Sequence, residues 1–115
     1  MKVDLDYLYT ISDNDREFIK DMLSAFVKIT PESIDGINDS LETKNWAEIG
    51  RLAHKIKPSI LLLGIQELSD LIKEIENMAK SESGLDQLAV KISQLNQYSL
   101  EVLSDIDDLL TTNSY

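Results

Sequence analysis

The chain has 115 residues, of which 43% are hydrophobic and 28% charged, so its size and composition are those of one globular domain over residues 1–115. Eleven Lys and Arg residues against 21 Asp and Glu give a net charge of −10, which disfavours nucleic acid and anionic membranes as partners. Cysteine is absent and histidine occurs once, which excludes disulfides, thiolate chemistry and any site that needs two imidazoles.

Apolar residues recur at three- and four-residue spacing, which predicts helices throughout the chain. A short helix is expected around Asp4–Tyr9. A long helix is expected over residues 14–43, capped by the acidic cluster before it and either bent at Pro31 or divided there into two nearly collinear helices. Its apolar stripe is expected to consist of Phe18, Met22, Ala25, Phe26 and Ile29, followed by Ile34, Ile37 and Leu41.

Three further helices are predicted. Asn45 and Glu48 form a capping-box-like start for the third, which runs from Trp46 and ends at Gly64. The fourth covers Gln66–Lys80, and the last covers about Leu85–Leu110. Long amphipathic helices joined by short turns bury their apolar stripes by packing against one another, so we predict an all-α, antiparallel, up-and-down four-helix bundle with a short extra N-terminal helix.

The single histidine, His54, lies within the third predicted helix. At 100° per residue its side chain points roughly 150° away from the centre of the apolar stripe of that helix, so it is expected to face solvent. The residues expected to share its face are small, apolar or basic: Ala47, Gly50, Arg51, Lys55, Lys57, Pro58 and Leu61. A face of this kind favours a docking partner that presents an anionic group to the imidazole. The simplest alternative is a solvated surface histidine with no function.

The residues around His54 also resemble a known signature. Ala53-His54-Lys55-Ile56-Lys57-Pro58-Ser59, with Gly64 ten residues after the histidine, is similar to the motif of histidine-containing phosphotransfer (HPt) domains. That motif reads Ala-His-x-aliphatic-Lys-Gly-small. The predicted helices also match the family in outline, with a histidine-bearing helix capped by Asn and two helices that close the bundle.

The resemblance implies a phosphorelay intermediate rather than a stand-alone enzyme. His54 would accept a phosphoryl group from a receiver-domain aspartate or a sensor histidine kinase and pass it to another receiver. We assign attack to Nε2, which projects furthest from the helix. Lys57, one turn on, would place an ammonium group beside the phosphoryl oxygens. Arg51 and Lys55 would attract the acidic pocket of a receiver toward His54. No cofactor or metal site is expected in this chain, because the divalent ion for the transfer would be held by the receiver.

One position departs from the family motif. Where the motif has Gly four residues after the histidine, this chain has Pro58, which cannot donate a hydrogen bond to the carbonyl of His54. We expect the helix to continue past Pro58 with a kink, since Ser59–Leu63 is too apolar for a loop. We expect proline at this position to affect the choice of partner and the rate of phosphotransfer more than the transfer itself. The alternative function is a non-catalytic helical adaptor that binds receiver or kinase domains without phosphotransfer.

The sequence shows no targeting or nucleotide-binding signal. The first six residues include two acids where a signal peptide would need an apolar stretch, and the longest aliphatic run is Ile60–Leu63. The four glycines are isolated, so no Gly-rich phosphate loop of a kinase is present. We therefore expect a monomeric cytoplasmic protein without ATP-binding activity of its own.

Overall fold

Five helices joined by short turns make up the structure, a computed structural model that describes residues 1–115. They are α1 (Asp6–Ile11), α2 (Arg16–Glu42), α3 (Trp46–Leu61), α4 (Gln66–Ser81) and α5 (Leu85–Thr112). The predicted all-α class and the predicted order of the helices are confirmed. None of the five combines the length and the apolar character needed to cross a membrane.

Side-chain caps fix the first residues of α2 and α3. The carboxylate of Asp15 accepts a hydrogen bond from the backbone N–H of Phe18 at 3.1 Å and so caps α2. The side-chain oxygen of Asn45 accepts from the backbone N–H of Glu48 at 3.2 Å and caps α3. Each cap satisfies one of the four N–H groups that a helix leaves without a partner at its start, as predicted for both positions.

The four long helices pack as a square in which each helix contacts two neighbours. α2 contacts α3 and α5, α4 contacts α3 and α5, and neither diagonal pair is in contact. Because consecutive helices are joined by short turns, they run antiparallel. The bundle measures 41 × 23 × 19 Å. Its core is a single cluster of aliphatic side chains, among them Ile19, Ile37, Ile49, Ile72, Ile75, Leu88 and Ile92, all fully buried.

Both prolines lie inside continuous helices. α2 passes Pro31 and α3 passes Pro58 without interruption, so α2 is one helix rather than two. α3 ends at Leu61, slightly before the predicted end, and the chain turns at Gly64 with a φ of +69°. A Cβ on Gly64 would lie 2.8 Å from the Cβ of Asp4, so this turn needs glycine for both its conformation and its neighbour.

Two sequence expectations need correction. The first helix begins at Asp6 rather than Asp4, because the N–H of Asp4 donates to the carbonyl of Leu63 at 2.8 Å and its carboxylate accepts from the N–H of Asp6. Within the stripe predicted for the first half of α2, only Phe26 is buried, whereas Ile29 is 47% exposed. The core side of α2 there is formed instead by Ile19, Leu23, Phe26 and Thr30.

Candidate functional site

The imidazole of His54 stands on the outside of α3. Its side chain is 63% exposed, and the residue before it, Ala53, is completely buried. The solvent-facing direction predicted from helical periodicity is therefore confirmed. A partner can reach the ring from solvent without any rearrangement of the bundle.

Beneath this ring lies a buried carboxylate that the sequence analysis did not identify. Glu76 of α4 is only 4% exposed, and its two oxygens contact three basic side chains. Oε2 lies 2.6 Å from Nδ1 of His54 and 2.8 Å from the ammonium of Lys80, whereas Oε1 lies 2.7 Å from the ammonium of Lys57. His54 and Lys57 of α3 and Lys80 of α4 thus meet at one carboxylate.

The environment of Glu76 keeps it ionised. Burial alone would raise the pKa of the carboxyl group, because it removes water from the charged form. Hydrogen bonds from Lys57, Lys80 and His54 outweigh that effect and hold the pKa of Glu76 at about 2. Glu76 therefore carries a negative charge throughout the physiological pH range.

The ionised carboxylate determines which imidazole nitrogen carries the proton. A carboxylate can only accept hydrogen bonds, so Nδ1 of His54 must be the donor in its contact with Glu76. In the neutral ring this leaves the lone pair on Nε2, the nitrogen away from the contact. The arrangement thus presents an oriented nitrogen nucleophile to solvent.

Lys57 and Lys80 bind different oxygens of Glu76. Lys57 lies one turn after His54 on α3 and is mostly covered, with 27% of its side chain exposed. Lys80 lies one turn after Glu76 on α4 and is half-exposed. Lys57 therefore binds the same carboxylate as the imidazole, and its ammonium does not project freely into solvent.

Gly50 does not belong to an exposed docking surface. It is buried against α4, where a Cβ would lie 3.0 Å from Cγ of Lys80 and 3.8 Å from the Cβ of Ala79. The helical-wheel expectation was wrong for this residue because α4 packs along that edge of α3. The missing side chain at Gly50 provides the space through which the stem of Lys80 passes on its way to Glu76.

The other residues expected around His54 are exposed, but the two cations among them differ in whether an acid is bound to them. Ala47, Lys55, Pro58 and Leu61 all face solvent. Arg51 is also exposed, yet its guanidinium binds the carboxylate of Glu48 in the same helix. Lys55 forms no ion pair and is the one cation of α3 whose charge is not offset by a neighbouring acid.

A second apolar surface lies beside the histidine helix. Ala25 and Ile29 of α2 are exposed, and together with the half-buried Met22 they line a small recess against Lys55 and Ser59 of α3. At 100° per residue the stripe of Met22, Ala25 and Ile29 is rotated about 100° from the core side of α2. Helical periodicity predicts Met22, Ala25 and Ile29 as part of an apolar stripe that faces the core, and that prediction is wrong for these three residues.

A signal for Glu76 was present in the sequence. It follows Ile75 directly and lies four residues after Ile72, so it falls on the apolar side of the fourth helix. A carboxylate on such a side requires charged or hydrogen-bonding partners. Helical periodicity cannot identify those partners, because they lie on another helix. No group of three or more His, Asp or Glu side chains is placed to hold a metal ion.

Comparison with known proteins agrees with this geometry. No curated protein and no solved structure gave a significant match to the chain. The family model for the Hpt domain matches residues 21–111, which include most of α2 and all of α3 and α4. That match covers far more than half of the sequence and contains both His54 and Glu76. The chain therefore belongs to the Hpt domain family.

Proposed function

We propose that this Hpt domain is a phosphoryl carrier in a two-component phosphorelay, and that it carries the phosphoryl group on Nε2 of His54. Hpt domains as a family act in histidine phosphotransfer. The observation that carries the proposal for this chain is the contact between an exposed imidazole and a buried, ionised carboxylate. That contact holds the proton on Nδ1 and leaves Nε2 free to react.

In the proposed step, the lone pair of Nε2 attacks the phosphorus of a receiver's aspartyl phosphate. A P–N bond forms while the P–O bond to the aspartate breaks, and the aspartate leaves as a carboxylate with the electron pair. No proton has to move, because Nδ1 keeps its proton. The reverse reaction with a second receiver returns the imidazole of His54 to its starting state.

Glu76 and Lys57 balance the charges that this step creates. Phosphorylation of Nε2 makes the ring an imidazolium, and the carboxylate of Glu76 lies 2.6 Å from Nδ1 as a counter-ion. The phosphoryl oxygens bring negative charge to the same place. Lys57 is close enough to His54 to share its ammonium between Glu76 and those oxygens.

The surface around His54 supports a protein as the phosphoryl donor. Lys55, Pro58 and Leu61 of α3 surround the ring, and the exposed Ala25 and Ile29 of α2 extend the apolar area. An unpaired lysine beside an apolar surface is suited to the acidic pocket of a receiver domain. We propose receiver domains and a sensor histidine kinase as partners, the divalent ion in the receiver, and a monomer acting in the cytoplasm.

The proposal is tested by phosphorylating the purified chain with phosphoramidate and, separately, with phosphorylated receiver domains. Intact mass should show one added phosphoryl group that is lost in acid and stable in base, as expected for phosphohistidine. His54 is the only histidine, so His54→Gln should abolish the label while circular dichroism shows unchanged helicity.

The adaptor alternative gives a different result in the same experiment. A wild-type chain that binds receivers but acquires no label from any of them, or from phosphoramidate, would contradict the carrier role. Undiminished labelling of His54→Gln would also contradict it. If His54→Gln loses the label but still binds receivers, phosphotransfer depends on His54 and receiver binding does not.

A further inference from the structure

A cleft of about 300 Å³ lies between α2 and α5, on the side of the bundle away from the histidine. α5 contacts α2 and α4 but not α3, so this cleft and His54 lie on different faces. Its apolar walls are Pro31 and Ile34 of α2 and Leu100 and Leu103 of α5. The mechanism of phosphotransfer uses none of these residues.

Leu100 is the most exposed large hydrophobic residue of the chain, at 67%. It stands at the edge of the cleft, where a ligand could cover it. The cleft is also preformed. The side-chain amides of Asn38 and Asn96, which line the cleft, form two reciprocal hydrogen bonds of 2.8 and 2.9 Å and join α2 to α5. A preformed site requires less ordering when a ligand binds.

The two helix segments that form this cleft carry charges of a single sign. Residues 31–42 of α2 include the acids Glu32, Asp35, Asp39 and Glu42 and no base; residues 92–112 of α5 include the acids Glu101, Asp105, Asp107 and Asp108 and no base. Only Glu101 and Asp105 form ion pairs, with the N-terminal ammonium and Lys2. Asp35 is the one charged residue that lines the cleft, and the other acids without ion pairs lie on the same two helix segments, so this side of the bundle attracts cations.

We propose that the α2–α5 cleft is a second docking surface, and that it binds a cationic amphipathic helix of another protein. Such a helix would cover Leu100 and Leu103 with its apolar side and place its Lys or Arg residues beside Asp35 and Asp107. A second copy of this chain is disfavoured as the occupant, since two acidic faces would repel each other. Because the cleft is remote from His54, the helix could remain bound during phosphotransfer.

The proposal is tested with a synthetic peptide of leucine and lysine whose leucines follow i, i+4, i+7 spacing. Its scrambled isomer has the same charge but no apolar side. Amide shifts in ¹H–¹⁵N spectra should locate the amphipathic peptide at α2 and α5, and the scrambled isomer should bind more weakly. Leu100→Ser should weaken binding about tenfold, the size expected for covering one leucine side chain.

Matched variants separate this site from general attraction to an acidic protein. Val90 is also an exposed aliphatic residue of α5 but lies outside the cleft, so Val90→Ser should leave binding unchanged. Asp35→Asn should weaken binding more than Asp21→Asn, which removes an acid of α2 outside the cleft. Equal binding of the two peptides, or equal effects of Leu100→Ser and Val90→Ser, would overturn the proposal. Shifts centred on His54, or dimerisation of the chain through this face, would overturn it as well.

Discussion

At the scale of single residues, the orientation of the His54 imidazole depends on a carboxylate that is 22 positions away in the sequence. Glu76 is buried, ionised and bound by three donors, so it acts as a positioning residue for the imidazole rather than as a reacting group. Its oxygen Oε2 is shared between His54 and Lys80. His54, Lys57 and Lys80, which lie on two helices, therefore form one network around one acid.

This network makes a prediction for stability against acid. The pKa of Glu76 is lowered to about 2 in the folded chain, so its stabilising effect is complete above the unfolded value near 4.5 and is lost as the pH falls toward 2. We expect Glu76 to contribute roughly 2 to 3 kcal/mol to the free energy of unfolding at neutral pH relative to pH 2. Glu76→Gln should flatten the fall in stability between pH 5 and pH 2.

Urea denaturation at a series of pH values measures this dependence. Glu74→Gln is the matched control, because Glu74 lies on the same helix and pairs with Lys91 while half of its side chain is exposed. The control should keep the steep dependence of the wild type. If Glu76→Gln and the wild type lose the same stability in acid, the ionised network does not exist in solution.

At the scale of helices, the sequence was most informative where a local rule applies. Asp15 and Asn45 mark the beginnings of α2 and α3 because a cap acts on an N–H three residues away. The exposure of His54 follows from periodicity within one helix. The burial of Gly50 and the exposure of Ile29 could not be predicted in this way, since each depends on where a neighbouring helix packs.

Two glycines within helices should respond in opposite ways to the same substitution. A Cβ on Gly50 would approach Cγ of the half-exposed Lys80 side chain at 3.0 Å, and a shift of a few tenths of an ångström in that flexible chain relieves the contact while its ammonium stays on Glu76. A Cβ on Gly36 would lie 2.8 Å from Cδ1 of Leu52, which is buried between α2 and α3. Gly50→Ala should raise the free energy of unfolding by about 0.5 kcal/mol through helix propensity, whereas Gly36→Ala should lower it by roughly 1 to 2 kcal/mol.

Chemical denaturation of the two variants checks the difference in sign. Gly36→Ser would add a comparable Cβ and should also be destabilising. If both alanine variants are stabilised, the packing of α2 against α3 at Gly36 is looser than the structure shows. If both are destabilised, the stem of Lys80 is held more firmly over α3 than its exposure indicates.

At the scale of the whole molecule, charge is distributed unevenly over a strongly acidic surface. The α2–α5 side is lined by acids, whereas α3 carries Arg51, Lys55 and Lys57 against the single acid Glu48. Counting residues overstates this basic character. Arg51 is offset by Glu48, whereas the single negative charge of Glu76 is shared by the ammonium groups of Lys57 and Lys80. The positive potential near His54 therefore arises from Lys55 and from the Lys57–Lys80 pair, and Arg51 adds little to it.

Lys55 should therefore control the encounter with an acidic receiver more than Arg51 does. We expect Lys55→Gln to slow transfer from a phosphorylated receiver several-fold at low salt and to reduce the dependence of that rate on ionic strength. Arg51→Gln should have a smaller effect, because it also releases the carboxylate of Glu48. Labelling by phosphoramidate, which needs no protein docking, should be the same for both variants and the wild type. Stopped-flow rates at two salt concentrations measure the difference, and equal effects of the two substitutions would show that local ion pairing does not determine how this face attracts its partner.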